Sequence, residues 1–237
     1  YKVHEIMIDL QRLCFNAGVT FINDEVTQLQ TEKKKIILKN RPSVHYDLLS
    51  INTGSISKKN NLKIHKNSKC IFIKPINNII KNLRTIDSLV EKSNEIKINI
   101  IGGGVAAFEI GFALRLRYQD KVSITIISKN ILLEKNLNTK SIIELKETSK
   151  NMKISLREKD VLEVKKNELL LSNGEFFPSD LNLISTGAEI PEWLQSSSLL
   201  KIEKFIGVKT TLQSINDENV FAAGDVASIQ DFQRPKS

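Results

Sequence analysis

The stretch Ile100–Glu109, IIGGGVAAFE, places three glycines between an apolar run and a helical pattern. A dinucleotide-binding turn needs glycine at its first position for the tight turn and glycine at its second so that a pyrophosphate can approach the backbone. It also needs a small third residue, so that helix and strand can pack closely. Gly102, Gly104 and Ala107 meet these requirements, and the N–H groups at the start of the following helix would attract phosphate.

The flanking pattern supports this interpretation, because a short glycine motif by itself occurs in many turns. Residues 95–101, EIKINII, predict a strand, residues 105–118 a helix, and residues 121–127, KVSITII, a second strand. We therefore favour nucleotide binding over a purely structural turn. The candidate residues are Gly102, Gly103, Gly104, Val105, Ala106 and Ala107.

An acidic residue that binds the adenine-ribose hydroxyls of NAD is expected at the end of the second strand. Ser128 and Lys129 stand there instead, and the nearest acid, Glu134, comes several residues too late. A hydroxyl and a cation would suit the 2′-phosphate of NADP, but an ordinary loop lysine fits the pattern equally well. The sequence leaves NADH and NADPH open as donors.

Two parts of the chain share one pattern. In each, a helix precedes a strand and a three-stranded meander, and an aspartate (Asp47 or Asp180) stands six residues before Thr-Gly. Val26 and Val161 occupy matching places at the start of the two meanders. We interpret this as an internal duplication. The first copy is predicted to have its helix at 5–17 and its strand at 19–22, and a connector at 56–80 leads to a helix at 77–92.

The duplication predicts what should precede the first copy. In the second copy a strand, the glycine turn, a helix and another strand come before a helix at 137–150. The first copy already has its equivalent helix near residue 5. We therefore expect at least ~40 further residues with a glycine fingerprint ahead of Tyr1, which makes this chain a fragment.

Composition limits the classes of protein that the chain can represent. Hydrophobic residues make up 41% and charged residues 26% of the 237 positions, which is typical of a globular protein. No apolar run approaches the ~20 residues of a membrane helix. The net charge of +8 comes from lysines scattered in predicted turns with few aromatic residues between them, which favours solvated loops over a nucleic-acid surface.

The cysteines and histidines give no sign of thiol or metal chemistry. Thiol–disulfide exchange requires a closely spaced cysteine pair, and Cys14 and Cys70 are far apart in the sequence. Both are predicted to be small apolar core residues. His4, His45 and His65 are too scattered to suggest a metal site.

A last motif stands at Asn219–Ser228, NVFAAGDVAS, where an apolar run leads to small residues and then to Asp225. By itself it predicts a strand that turns into a capped helix. Together with the other motifs, however, it resembles the two-dinucleotide-fold flavoproteins of the pyridine nucleotide-disulfide oxidoreductase superfamily, which include glutathione-reductase-like, ferredoxin-reductase-like and type II NADH dehydrogenase enzymes. In that family an FAD domain is interrupted by an NAD(P)H domain of the same topology.

The resemblance assigns cofactors to the motifs. IIGGGVAAFE is similar to the NAD(P)H fingerprint, the two Thr-Gly segments to the paired family motifs, and NVFAAGDVAS to the late FAD motif. It implies further NAD(P)H contacts from Ser128, Lys129, Thr186, Gly187 and Ala188. It implies FAD contacts from Val26, Thr53, Gly54, Ser55, Gly224 and Asp225.

Glu109 corresponds to a family glutamate near the nicotinamide–flavin junction, which implies a catalytic role in orienting the nicotinamide amide or relaying a proton. The alternative is an acid that stabilises the helix dipole. For Lys74, which precedes Pro75, a surface position is favoured over a flavin contact. The segments EIMIDLQRLCFNAGVTFI, FIKPINNII and FQRPKS look like the NADH-dehydrogenase-like domain fused ahead of selenophosphate synthetase.

The expected fold is α/β. A Rossmann-like NAD(P)H-binding domain with a three-stranded meander, residues 81–206, is inserted in an incomplete FAD-binding domain of the same topology. Residues 1–80 form part of that FAD domain and the connector, and residues 207–237 form its return segment.

The implied function is that of an FAD-dependent NAD(P)H oxidoreductase, which transfers a hydride from NAD(P)H to flavin and onward to an acceptor that the sequence does not identify. The fragment itself is expected to be inactive. The alternative is a non-catalytic nucleotide-binding module that senses redox state or regulates a fused partner. A selenophosphate synthetase partner and a homodimer stay open, and neither nucleic acid nor a transmembrane segment is expected. A cytoplasmic location is favoured, with peripheral membrane attachment open.

Overall fold

The computed structural model describes residues 8–58, 62–93, 95–131 and 137–231. Its helices are α1 (Leu10–Asn16), α2 (Asn77–Glu91), α3 (Val105–Tyr118), α4 (Thr139–Asn151) and α5 (Glu192–Gln195). Its strands are β1 (Val26–Gln30), β2 (Lys35–Leu38), β3 (Val44–His45), β4 (Leu49–Ile51), β5 (Ile56–Ser57), β6 (Lys63–Ile64), β7 (Cys70–Phe72), β8 (Ile96–Ile101), β9 (Val122–Ser128), β10 (Ile154–Glu158), β11 (Val161–Val164), β12 (Glu168–Leu171), β13 (Phe176–Pro178), β14 (Leu181–Ile184), β15 (Ala188–Glu189), β16 (Lys201–Ile202), β17 (Phe205–Val208), β18 (Val220–Ala222) and β19 (Ala227–Ile229).

The chain forms two compact units. The first is drawn from Tyr1–Gly54 and Ile190–Arg234, and the second from Ser55–Glu189. These boundaries differ from the predicted ones at residues 81 and 207. The connector joins the second unit, because β7 pairs with β14 and β6 pairs with β11. Short strands of this kind depend on their partners, so a local pattern does not reveal them.

The second unit is built on a five-stranded parallel sheet in the order β10-β9-β8-β14-β7. Its central strands are buried on both faces, which explains their nearly continuous apolar sequences. Helices cover one face: Phe108 of α3 and Ile86 of α2 pack with Ile98 and Ile100 of β8. The meander β11-β12-β13 covers the other face, where Leu169 packs in a cluster with Ile101.

The first unit consists of smaller sheets. β1, β2 and β3 form an antiparallel meander, β16, β17 and β19 form a second sheet, and β4 pairs in parallel with β18. The α/β architecture, the Rossmann-like parallel sheet and the meander are those predicted from the sequence.

The two meanders share a specific irregularity. In the first, the register of β1 against β2 shifts between Val26 and Gln28, and in the second the register of β11 against β12 shifts between Val161 and Glu163. A β-bulge is a specific backbone feature, so a bulge at the same place in both meanders indicates that their backbones are built alike. The matching positions of Val26 and Val161 are therefore confirmed, and they support an internal duplication.

Two predictions about the first copy are wrong. Residues 19–22 form no strand, because the equivalent strand β10 gains its hydrogen bonds from β9 and the described residues of the first unit offer no such parallel neighbour. The helix is limited to α1, with Asp9 as its N-cap; residues 5–7 lie outside the described range. No residue of α1 is buried, so Cys14 is not a core residue.

An ion-pair cluster joins α2 to α3. Asp87 accepts hydrogen bonds from Arg117 Nε (3.0 Å) and Nη2 (2.8 Å) and from the Tyr118 hydroxyl (2.8 Å). The hydrogen bond from Arg117 lowers the pKa of Asp87 from its ordinary value. Burial, followed by the bond to Asp87, raises the pKa of Tyr118 to about 12, so this phenol stays a donor at neutral pH.

We expect Asp87→Asn to lower the thermal unfolding midpoint at pH 7. The folded-state pKa of Asp87 is depressed, so its stabilising contribution is present above the unfolded pKa of roughly 3.9. It is lost as the pH falls through the lower folded-state value. The difference between wild type and variant should therefore shrink below about pH 4. Asp120→Asn, at an exposed ion pair, is the control, and a pH-independent difference would contradict the assignment.

Candidate functional site

The candidate residues of the second unit lie where its parallel strands end. Gly102 follows β8, Ser128 is the last residue of β9, and Thr186 lies two residues beyond β14. Because β8 pairs in parallel with both β9 and β14, these three ends meet at one edge of the sheet. Ligands of open α/β sheets bind at this carboxyl edge.

The glycine turn crosses this edge with no room for side chains. Gly102 has φ +136°, and a Cβ placed on it would lie 2.0 Å from the carbonyl oxygen of Ser185. A Cβ on Gly103 would lie 2.1 Å from the carbonyl oxygen of Asn130 and 2.9 Å from Ser128 Cβ. Only glycine lets the backbone pass between the loops after β9 and β14.

The start of α3 is suited to an anion. Gly104 is its N-cap and no side chain caps the helix, nor does its first turn contain an acid. Ala107, predicted for close packing, is fully buried in the core. Arg115 and Arg117 in the last turn complement the helix dipole. Val105 and Ala106 form the first turn, half-buried beside the glycines.

Ser128 and Lys129 stand next to the glycine turn, as the contact between Gly103 and Ser128 shows. Ser128 is half-buried and Lys129 is exposed. Lys129 forms no hydrogen bond or ion pair with another residue of the described ranges. No described partner therefore fixes its ammonium, and Glu134, the nearest acid in sequence, lies outside the described residues.

The second Thr-Gly segment is held by the connector. The Thr186 hydroxyl donates to the carbonyl of Lys58 (2.7 Å), and the Lys58 N–H donates to the carbonyl of Gly187 (3.1 Å). Ala188 begins β15, which pairs with β5. The segment is therefore fixed at the carboxyl edge by residues of the predicted connector.

Lys74 and Ser55 meet in the second unit. Lys74 lies two residues beyond β7, and its Nζ donates to Ser55 Oγ at 3.1 Å. Its backbone N–H donates to Ser57 Oγ at 3.0 Å. Ser55, predicted as an FAD contact, is buried. Lys74 is thus anchored at the sheet edge and is not a freely solvated surface lysine.

Glu109 is exposed on α3, one turn beyond the glycines. Its side chain forms no hydrogen bond or ion pair with any other described residue, and it lies outside the first turn of the helix. A second carboxylate, Glu158, ends β10 directly beside Ser128. The sequence pattern missed Glu158, although the alternation of strands and helices could have indicated that β10 ends at the same edge.

In the first unit, β4 and β18 bring the other two motifs together. Their parallel pairing places Thr53 and Gly54 at the same edge as Gly224 and Asp225. The Ala223 N–H donates to the Ile51 carbonyl at 3.0 Å. A Cβ on Gly224 would lie 2.7 Å from Asn52 Oδ1, so the two turns touch. Val26 lies in the bulge at the start of β1.

Cys70 and Glu163 have chemically ordinary surroundings. Burial raises the pKa of the Cys70 thiol, which keeps it protonated at neutral pH, and Cys70 is half-buried beside the meander. Glu163 accepts from His65 Nε2 (2.9 Å) and from Lys63 Nζ (3.1 Å), which lowers its pKa. Within the described ranges there is no metal-binding cluster of His, Cys, Asp and Glu. His4 lies outside them.

The family is established by comparison. Residues 5–237 match the model of the family described as pyridine nucleotide-disulphide oxidoreductase. The chain therefore belongs to this family, as its motifs indicated. The family uses FAD and NAD(P)H.

Two curated proteins illustrate the relationship. Ferroptosis suppressor protein 1 of Xenopus tropicalis is 26% identical over 229 residues, which cover 89% of this chain and 58% of that protein. Type II NADH:quinone oxidoreductase of Haemophilus influenzae is 24% identical, over 78% of this chain and 50% of that protein. The chain thus spans about half the length of the curated relatives it matches.

Solved structures share the fold. Reduced CoADR-RHD of Bacillus anthracis superposes with a TM-score of 0.80 at 19% identity, over 97% of this chain and 42% of that one. NDH2 of Plasmodium falciparum in complex with NADH gives 0.71 at 21% identity, over 88% and 50%. Among the described helices of this chain, none is long and apolar enough to cross a membrane.

We expect Gly102→Ala to weaken NAD⁺ binding by more than about ten-fold, because the backbone must move away from Ser185 and take a strained φ. Calorimetric titration would measure the loss. Gly111→Ala is the matched control: it makes the same change within α3, where the nearest heavy atom, Ile100 Cδ1, is 3.4 Å from the new Cβ. Equal affinity of Gly102→Ala and wild type would contradict a nucleotide site at this turn.

Proposed function

We propose that the protein to which this chain belongs is an FAD-dependent NAD(P)H oxidoreductase of the NADH-dehydrogenase-like type. The observation that carries the proposal is the family match over residues 5–237. When bound, the two cofactors supply the redox chemistry: a hydride passes from NAD(P)H to the flavin, and electrons pass on to an acceptor.

The second unit fits NAD(P)H. The backbone at Gly102 and Gly103 leaves no space for a Cβ, and α3 begins beside it without a capping side chain. The glycines let the turn pack tightly against its neighbouring loops, and the uncapped start of α3 suits a pyrophosphate because it presents the positive end of a helix. Ser128 and Lys129 would then face the adenine ribose, while Thr186, Gly187 and Ala188 would lie towards the nicotinamide side of the edge.

The first unit fits part of an FAD site. Thr53, Gly54, Gly224 and Asp225 end two neighbouring parallel strands, and a carboxylate at that edge can accept hydrogen bonds from ribitol or ribose hydroxyls. Val26 would contribute apolar contact from the start of the meander. We accordingly keep the assignment of the first unit to FAD and of the second to NAD(P)H. The sequence predicted an FAD domain at residues 1–80 and 207–237 and an NAD(P)H domain at residues 81–206.

Glu109 is the residue that we propose to act at the reacting ring. It is exposed on the side of α3 that follows the glycine turn, and no described partner neutralises it. A carboxylate there can accept a hydrogen bond from the nicotinamide amide and so orient the ring, or hold a proton during reduction of the flavin.

The alternative is a nucleotide-binding module that senses redox state or regulates a fused partner. Two observations support it. β9 contains no acid and ends at Ser128, and the Cys70 thiol is protonated at neutral pH. The two functions differ in whether the bound nucleotide is oxidised. A full-length protein that lacks flavin and leaves NADH and NADPH unreacted after addition of FAD would rule out the oxidoreductase.

The acceptor and partners rest on likeness alone. A quinone is the acceptor to test first, because one relative, of which this chain covers 50%, is a type II NADH:quinone oxidoreductase. Selenium or sulfur species are further candidates. The likeness to a domain fused with selenophosphate synthetase predicts that enzyme as a covalent or associated partner, and a homodimer stays open. FQRPKS, part of that likeness, lies outside the described residues. We keep a cytoplasmic location, with peripheral membrane attachment, as proposals.

We expect Glu109→Gln in the full-length flavoprotein to slow anaerobic bleaching of the flavin by NADH about a hundred-fold, the range typical of a lost acid–base group. NAD⁺ affinity should change little, because the substitution leaves the glycine turn intact. Stopped-flow absorbance measures the rate. Glu95→Gln, an exposed glutamate just before β8 and so at the opposite edge of the sheet, is the control. Bleaching at the wild-type rate would remove Glu109 from the mechanism.

We expect Asp225→Asn to reduce FAD retention about ten-fold, because a charge-assisted hydrogen bond becomes a neutral one. The flavin-to-protein absorbance ratio after dialysis measures this. Asp231→Asn makes the same change at an exposed site in the same unit and should retain flavin. Full retention in Asp225→Asn would argue against the proposed FAD contact.

A further inference from the structure

The end of β9 poses a specific problem for the proposed function. A nicotinamide dinucleotide on the glycine turn would bring its adenine ribose over Ser128, where no acid is available to bind the two hydroxyls. A carboxylate at the end of the neighbouring strand could bind this ribose instead.

We propose that Glu158, the last residue of β10, supplies this carboxylate and so makes NADH, and not NADPH, the preferred donor. The inference rests on the proposed function and adds the specificity of the same site.

The strand register carries the proposal. β10 pairs in parallel with β9, and Glu158 lies opposite Ser128. Neighbouring strands are about 4.8 Å apart, and paired residues of parallel strands present their side chains on the same face. A Cβ placed on Gly103 would lie 2.9 Å from Ser128 Cβ, so the glycine turn is next to Ser128. The glycine turn, Ser128 and Glu158 thus form a continuous row across three adjacent strand ends.

The state of Glu158 suits a ligand contact. Its side chain is exposed, and it forms no hydrogen bond or ion pair with any other residue in the described part of the chain. Two acids of the meander are already engaged. Glu175 accepts from Arg157 at 2.8 Å, and Glu163 accepts from Lys63 and His65. Glu158, in contrast, has no described side-chain partner and ends the strand next to β9.

The cations at the same place do not form a phosphate site of equal quality. Arg157 precedes Glu158, but its guanidinium binds Glu175 and stacks 4.6 Å from the centre of the Phe177 ring, so it is committed to the meander. Lys129 and Lys159 are exposed, and a lysine ammonium lacks the planar fork of a guanidinium. A 2′-phosphate would gain from these lysine charges but would meet the carboxylate of Glu158, whereas two ribose hydroxyls would donate hydrogen bonds to it.

The test uses the full-length flavoprotein and calorimetric titration with NAD⁺ and NADP⁺, so that binding is measured without turnover. We expect wild type to bind NAD⁺ at least about ten-fold more tightly. Glu158→Gln should lower NAD⁺ affinity about ten-fold without lowering NADP⁺ affinity. Glu158→Asp, which keeps the charge, should retain a preference for NAD⁺. Glu147→Gln, at an exposed position of α4, is the matched control and should change neither affinity.

The outcomes separate this inference from the proposed function. Wild-type preference for NADP⁺, especially one removed by Lys129→Ala, would overturn the role of Glu158 and assign the ribose site to Lys129. An unchanged NAD⁺-to-NADP⁺ ratio in a Glu158→Gln variant that still binds would also overturn it, while leaving the oxidoreductase intact. Binding of neither nucleotide by wild type would overturn both.

Discussion

Parallel pairing of β8 with β9 on one side and with β14 on the other is the constraint on which the second unit depends. Parallel strands cannot be joined by tight turns, so each is followed by a crossover that returns the chain to the opposite edge. As a result, the carboxyl ends of all five strands collect at one edge. Gly102, Ser128, Glu158 and Thr186 become neighbours there, although they are far apart in the sequence.

The layers on both faces make this edge rigid. Apolar side chains of β8 alternate between the helical layer, through Ile98 and Ile100, and the meander layer, through Ile101. A buried side-chain amide also links two layers: Asn99 Nδ2 donates to the Pro178 carbonyl at 3.1 Å, which ties the central strand to the meander. With the sheet held between two packed layers, the glycine turn can thread between Ser185 and Asn130 at van der Waals contact. Such a turn offers a preformed backbone surface to a ligand.

Long periodic segments were predicted well from the sequence. The predicted helix at 105–118 coincides with α3, and α2, β8 and β9 agree within one residue at either end. Their patterns are strong because one stripe or both faces are buried. The strands within the connector were not predicted, since β5, β6 and β7 are two or three residues long and take their stability from β15, β11 and β14. Residues 19–22 show the reverse case, in which a β-prone sequence has no partner strand.

The sequence by itself determined the glycine turn, the α/β alternation, the duplicated meander and the membership of the family. These properties are local, because glycine spacing and apolar periodicity follow from the backbone geometry of a few neighbouring residues. Tertiary structure alone decided which polar groups share the sheet edge: Glu158 beside Ser128, and Lys74 bound to Ser55. The physical reason is that the register of strands separated by a whole helix is set by packing of the layers, which no short segment of the sequence contains.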